Sequence, residues 1–159
     1  MDVIHCKTAK LFEAAAELGA LISTSSTSEI QNLARYGCHL GTAFQLIDDV
    51  LDYRASAAEM GKNIGDDLAE GKPTLPLIQA IKVAAPEDAE IIRQAIKTGG
   101  LQHLERIIRL VQETGALDYC HHRAIKESDL AIAALTPLPP SIYKEALEGL
   151  AKLALNRVS

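Results

Sequence analysis

Gly41-Thr42-Ala43-Phe44-Gln45-Leu46-Ile47-Asp48-Asp49-Val50-Leu51-Asp52-Tyr53 reads as a helix that is apolar on all sides except along one strip. At about 100° per residue and with Asp48 at zero, Gly41 falls at about 20°, Asp52 at about 40°, Gln45 at about 60° and Asp49 at about 100°. Leu46, Val50, Ala43, Ile47, Leu51 and Phe44 occupy the rest of the circumference. A helix so nearly apolar all round belongs inside a larger helical assembly, and the expected fold class is all-α. Acidic residues on helices usually form a solvated face, but this polar arc is too narrow for one. Like charges at i,i+4, as at Asp48 and Asp52, also destabilise a helix by a few tenths of a kcal/mol. A compensating cation is expected. Carboxylates are hard oxygen ligands, and Mg²⁺ takes one or two of them together with water and substrate phosphate oxygens.

Upstream of this stretch, Ser23 to Ser28 is a polar break, and Ser28 is the expected cap of a long helix running to Arg54. Downstream comes Gly61-Lys62-Asn63-Ile64-Gly65-Asp66-Asp67-Leu68-Ala69-Glu70-Gly71-Lys72-Pro73-Thr74-Leu75-Pro76, too polar and too rich in Gly and Pro for a core segment. Taken alone it is an exposed connector. Placed just after the carboxylate strip it is a working loop, whose glycines let backbone approach a ligand and whose lysines act as point charges for phosphate oxygens. Further helices are expected near residues 75–84, 87–98, 101–114, 117–135 and 142–157, divided by Pro86, Gly99-Gly100, Gly115 and the run Thr136-Pro137-Leu138-Pro139-Pro140. With no strand candidate and no repeat, the architecture expected is an antiparallel helical assembly.

Helical periodicity also begins almost at Met1. Val3, Ile4, Leu11, Phe12, Ala15 and Leu18 are apolar, whereas Lys10, Glu13 and Glu17 are expected to form an outer strip. The chain thus reads as starting inside a helix, as a cut or truncated domain would. Lys7 falls in the apolar arc with Leu11, Ala14, Ala15 and Leu18, where a lysine either snorkels at an edge or points into an anionic cavity.

Bulk properties narrow the function further. The 159 residues suit one domain, and 48% hydrophobic with 4% aromatic and no Trp favours helix over sheet. A formal charge of -5 gives no general reason to approach nucleic acid or an anionic membrane. Cys6, Cys38 and Cys120 are odd in number and lack CxxC spacing, so reduced, mostly packed thiols are expected. No basic-then-apolar leader and no apolar run long enough for a membrane helix is apparent, so the expected compartment is the cytoplasm. His5, His39, His103, His121 and His122 make no HExxH pattern and read as surface or packing residues; no GxSxG or GxxxxGK[ST] element occurs.

Gly41 to Tyr53 followed by the Gly61 to Ile78 loop resembles the second aspartate-rich region of the trans-isoprenyl (polyprenyl) diphosphate synthases. Lys7-Thr8-Ala9-Lys10-Leu11-Phe12-Glu13-Ala14-Ala15 is similar to the Lys-Thr helix that precedes that region in the family. The similarity extends over essentially all 159 residues and is nearest the bacterial octaprenyl branch. It implies residues 1–159 as the C-terminal portion of an isoprenoid synthase fold, and a Mg²⁺-dependent condensation of isopentenyl diphosphate with an allylic diphosphate for quinone side chains. By the same resemblance Asp48 and Asp52 hold Mg²⁺ with Asp49 supporting, Lys7, Lys62 and Lys72 hold diphosphate, and Thr8 and Gln45 line the cavity near the reacting carbons. The family's first aspartate-rich motif is absent from these residues, and Asp66-Asp67 does not replace it. The chain alone is therefore expected to be inactive and to self-associate through apolar helix faces. A non-catalytic partner subunit, or another class I terpenoid enzyme, is the alternative; the lysine loop weighs against a cyclase.

Overall fold

The computed structural model describes residues 4–23, 26–54, 66–99 and 101–156, and among them every regular element is a helix. A π-helical turn, His5–Ala9, leads into α1, Lys10–Ile22, and α2 is Thr27–Leu51. Then come α3, Asp66–Ala69, α4, Leu75–Val83, and α5, Pro86–Thr98. A 3-10 turn, Leu101–His103, precedes α6, Leu104–Glu113, and the chain continues through α7, Ala116–Leu135, and α8, Ile142–Leu155. The all-α expectation holds, and most helix limits fall where Gly and Pro put them. Pro76 and Pro86 occupy first turns, where the missing N–H has no partner to lose.

Two corrections concern local structure. The cap of α2 is Ser26 rather than Ser28: the Glu29 N–H donates to Ser26 Oγ at 3.3 Å, and the Ser26 N–H donates to Glu29 Oε2 at 2.8 Å. This is the reciprocal capping box; Ser28 has Gln31 at the same spacing, but Ser28 already lies inside the helix, which begins at Thr27. The segment read as a loop to Pro76 also contains the helical turn α3 and ends where α4 begins at Leu75.

The chain divides into two compact units, residues 1–47 with 122–159 and residues 48–121. In the first, Tyr36, Ala131, Leu135 and Ala151 form a buried cluster, with Leu33, Leu40 and Leu147 packed against it. Small residues let its helices approach. A Cβ on Gly37 would lie 2.3 Å from the Phe12 carbonyl oxygen, and one on Gly41 would lie 2.8 Å from the Ala9 Cα. Only glycine tolerates so close a backbone approach. The face of α1 that turns inward therefore carries Phe12, Glu13, Ala16, Glu17 and Ala20, with Phe12 stacked 5.5 Å from Phe44. The expected outer strip is overturned: Lys10 is exposed, but Glu13 and Glu17 are half-buried, and Leu11 and Leu18 lie exposed at 72% and 57%. Periodicity thus misjudged which face the neighbouring helix meets and split both expected groups, since Phe12 turns inward away from Leu11 and Leu18, and Lys10 outward away from Glu13 and Glu17.

In the second unit, Val50, Tyr53, Leu68, Leu77, Ile92, Ile107 and Cys120 belong to one larger core. The α4 and α5 helices pack on each other across the Ala84-Ala85 link, and α6 packs against both. Burying fully such side chains as Ile92 and Ile107 contributes roughly 1.5 to 3 kcal/mol each, enough to hold short helices that would not persist alone. Of the three free cysteines, Cys120 is buried and Cys38 half-buried, as mostly packed thiols would be, while Cys6 is exposed.

Candidate functional site

From Tyr36 to Val50 the only exposed residue of α2 is Asp48. Its neighbour Asp49 is 3% exposed, and Asp52 is half-buried. The Asp52 N–H donates to the Asp48 carbonyl at 3.2 Å, so helical bonding continues past Leu51 and sets the two residues one turn apart. Two buried side chains register the charge gathered there. The Cys120 thiol is pushed up to about 12, first by burial and then by Asp49. Tyr53 is raised well above its ordinary value, again first by burial, with Asp52, Asp67 and Asp49 adding to the shift. Such a concentration of carboxylates at a packed helix end calls for a cation. An exposed, a half-buried and a buried carboxylate, all hard oxygen donors, fit a divalent ion of the magnesium or calcium kind that keeps part of its water.

Lys72 belongs to the same unit. Its Nζ donates to Asp67 Oδ1 at 3.1 Å and pairs with Glu70, and these partners, Glu70 first, raise its pKa well above the ordinary lysine value. Lys72 is thus a permanent cation already engaged by two carboxylates. Sequence reasoning singled it out for phosphate and missed Asp67 as its anchor, because Asp67 looked like part of a flexible loop. Lys62 lies outside the described residues.

In the first unit the π-helical turn carries Lys7 and Thr8. The Lys10 N–H reaches back to the His5 carbonyl, five residues away, which defines the turn. Such turns are frequent at functional sites. Thr8 Oγ1 donates to Gln45 Oε1 at 2.7 Å, which joins two residues that the sequence had assigned to one cavity. Lys7 is exposed, so it does not lie within a buried apolar arc; its companions Leu11 and Leu18 are exposed as well.

Residues 1–113 match the family model of the polyprenyl synthetases. The chain belongs to the polyprenyl synthetase family. Among its relatives, the all-trans-nonaprenyl-diphosphate synthase (geranyl-diphosphate specific) of Rhodobacter capsulatus is 51% identical over 158 residues, covering 99% of this chain and 48% of that protein. The octaprenyl diphosphate synthase of Escherichia coli is 49% identical, with 99% of this chain and 49% of that one covered. A polyprenyl synthase from Caulobacter crescentus, solved in complex with calcium and isoprenyl diphosphate, superposes with a TM-score of 0.88 at 42% identity, covering 99% of this chain and 48% of its own. The chain therefore spans about half the length of the polyprenyl synthases it matches. No helix among the described residues is long and apolar enough to cross a membrane.

Proposed function

We propose that this chain acts as part of a trans-polyprenyl diphosphate synthase of the octaprenyl type, condensing isopentenyl diphosphate with an allylic diphosphate for quinone side chains. The carrying observation is the carboxylate set at the end of α2, one residue exposed and one buried, in a chain about half identical to octaprenyl and nonaprenyl synthases. On this reading residues 1–159 correspond to the C-terminal portion of the synthase domain, and the half-length coverage of the relatives supports that assignment.

Asp48 and Asp52 would hold Mg²⁺, with the buried Asp49 behind them, and the ion when bound would offset charge on a departing diphosphate. Lys7, Lys62 and Lys72 would bind diphosphate oxygens. For Lys72 this means exchanging carboxylate partners for phosphate ones without loss of its proton, since its pKa is raised by those carboxylates and a phosphate would favour the charged form equally. Thr8 and Gln45 orient one another, and the pair presents fixed dipoles toward the reacting carbons. Six exposed side chains, Leu11, Leu18 and Ile22 on α1 and Ile142, Tyr143 and Leu153 on α8, support association with further copies. The enzyme would work in the cytoplasm.

The test replaces the homologous stretch of the Escherichia coli octaprenyl synthase with residues 1–159 and follows incorporation of labelled isopentenyl diphosphate onto farnesyl diphosphate. Mg²⁺-dependent polyprenyl product is expected, and a folded chimera without product overturns the assignment. The 159 residues alone should yield none, because they lack the family's first aspartate-rich motif. Robust product from them would show that a second magnesium site had been overlooked.

A further inference from the structure

His5, Glu13 and Cys38 lie in the first unit, and no step described above uses them. One ligand atom from each lies within 4.8 Å of the other two. His5 Nδ1 sits 3.3 Å from Cys38 Sγ, and His5 Nε2 faces Glu13 Oε2 at 3.8 Å. Zinc bonds of about 2.0 to 2.3 Å imply tetrahedral ligand separations of about 3.3 to 3.7 Å. Cys38 faces Nδ1 and Glu13 faces Nε2, and one ring nitrogen serves one ion, so the imidazole and one of the other two side chains must turn to bring a donor from each residue onto it.

The fold assembles this trio by two devices. Residues eight apart on an α-helix differ by about 80°, but a π-helical turn absorbs one extra residue, so His5 and Glu13 behave as if seven apart, about 20° from alignment. Cys38 arrives from α2, where the adjacent Gly37 allows the backbone of Phe12 and Glu13 to close in. Neither device serves the aspartate strip.

We propose that His5, Glu13 and Cys38 form a binding site for a borderline transition-metal ion of the zinc type, clamping the π-helical turn to α2. Thiolate and imidazole donors select such an ion over magnesium, which prefers the all-oxygen set at Asp48, Asp49 and Asp52. Three protein ligands leave a fourth position for water. Lys10 does not compete directly, because its Nζ binds Glu13 Oε1 and leaves Oε2 turned toward His5. A reactive cysteine is the weaker explanation. Burial first, and then Glu13 and Glu127, raise the Cys38 thiol, with Lys10 opposing; His39 engages Glu127 at 2.7 Å. These surroundings disfavour a bare thiolate, and a divalent ion would compensate them. Because Lys7 and Thr8 belong to the clamped turn, the ion would also fix their position.

Cobalt(II) is a suitable probe, added to the whole chain in excess Mg²⁺ so that the aspartate strip is occupied. A single equivalent should bind with a thiolate-to-cobalt charge-transfer band that zinc abolishes by displacement. Cys38→Ser should remove the band, and His5→Ala should weaken binding at least about tenfold. Cys6→Ser should leave the band intact, and all three variants should keep their helical circular dichroism. Binding without the band, a band that survives Cys38→Ser or is lost in Cys6→Ser, or affinity unmoved by His5→Ala overturns the proposal.

Discussion

Tyr36 lies on α2 and Tyr53 in the turn just past its end, and both are buried, at 2% and 0% exposure, yet their hydroxyls meet different circumstances. Tyr36 Oη donates to the Leu147 carbonyl at 2.8 Å and ties α2 to α8 inside the first unit. Burial alone pushes it up to about 12. The Tyr53 and Thr74 hydroxyls are buried and interact only weakly: Thr74 lowers the Tyr53 pKa as a side-chain partner would, yet neither hydroxyl makes a well-formed hydrogen bond among the described residues. Around Tyr53 stand Asp49, Asp52 and Asp67. The first region spends its polar groups on holding helices together, whereas the second keeps charge and unsatisfied polarity at a helix end. That difference separates a packing core from a candidate site.

The strongest way to break the comparison is Asp48→Ala in the chimeric synthase. Turnover should fall about a hundredfold or more, as when a preorganised electrostatic partner is removed. The melting temperature should barely move, because Asp48 is the one exposed residue in that part of α2. Near-normal turnover would return the strip to an ordinary acidic surface. In the first unit the corresponding blow is Gly37→Ala, since the added Cβ meets backbone at 2.3 Å and cannot be relieved by a side-chain rotation. A loss of about 1 to 3 kcal/mol in denaturant melts is expected. An unchanged midpoint would refute the close approach of α1 to α2.

The two tyrosines sharpen the contrast at smaller scale. Tyr36→Phe leaves the Leu147 carbonyl short of a donor and should destabilise by about 1 to 1.5 kcal/mol. Tyr53→Phe removes a buried hydroxyl whose contact with Thr74 falls short of a well-formed hydrogen bond, and stability should stay within about 0.5 kcal/mol or rise. Equal losses in the two variants would erase the distinction between the regions.

Much of the molecule was legible because helical periodicity and Gly or Pro punctuation act over a few residues. The all-α class, the limits of α4 to α8 and the Asp48, Asp49 and Asp52 strip are all local in this sense. The Ser26 cap was also legible, since Glu29 stands three residues on, but Ser28 drew attention by lying nearest the apolar run. Lys72 could be singled out as a candidate from its company in the sequence. Its engagement by Asp67 and Glu70 depended on α3 forming at all.

What the amino-acid order determined by itself was the angular arrangement of side chains within each helix, because 3.6 residues per turn leaves little freedom. Hence the carboxylates at the end of α2 could be named in advance, whereas the faces of α1 could not, since Phe12 turns inward while Leu11 and Leu18 do not. Only tertiary structure decided which face of α1 turns inward and which distant residues meet across it. Gly37 and Gly41 admit the Glu13 side of α1, and the π-helical turn shifts the register before Lys10 by one residue. The first effect arises from contact between segments some thirty residues apart, where the absence of a Cβ outweighs the preference of Leu11 and Leu18 for burial.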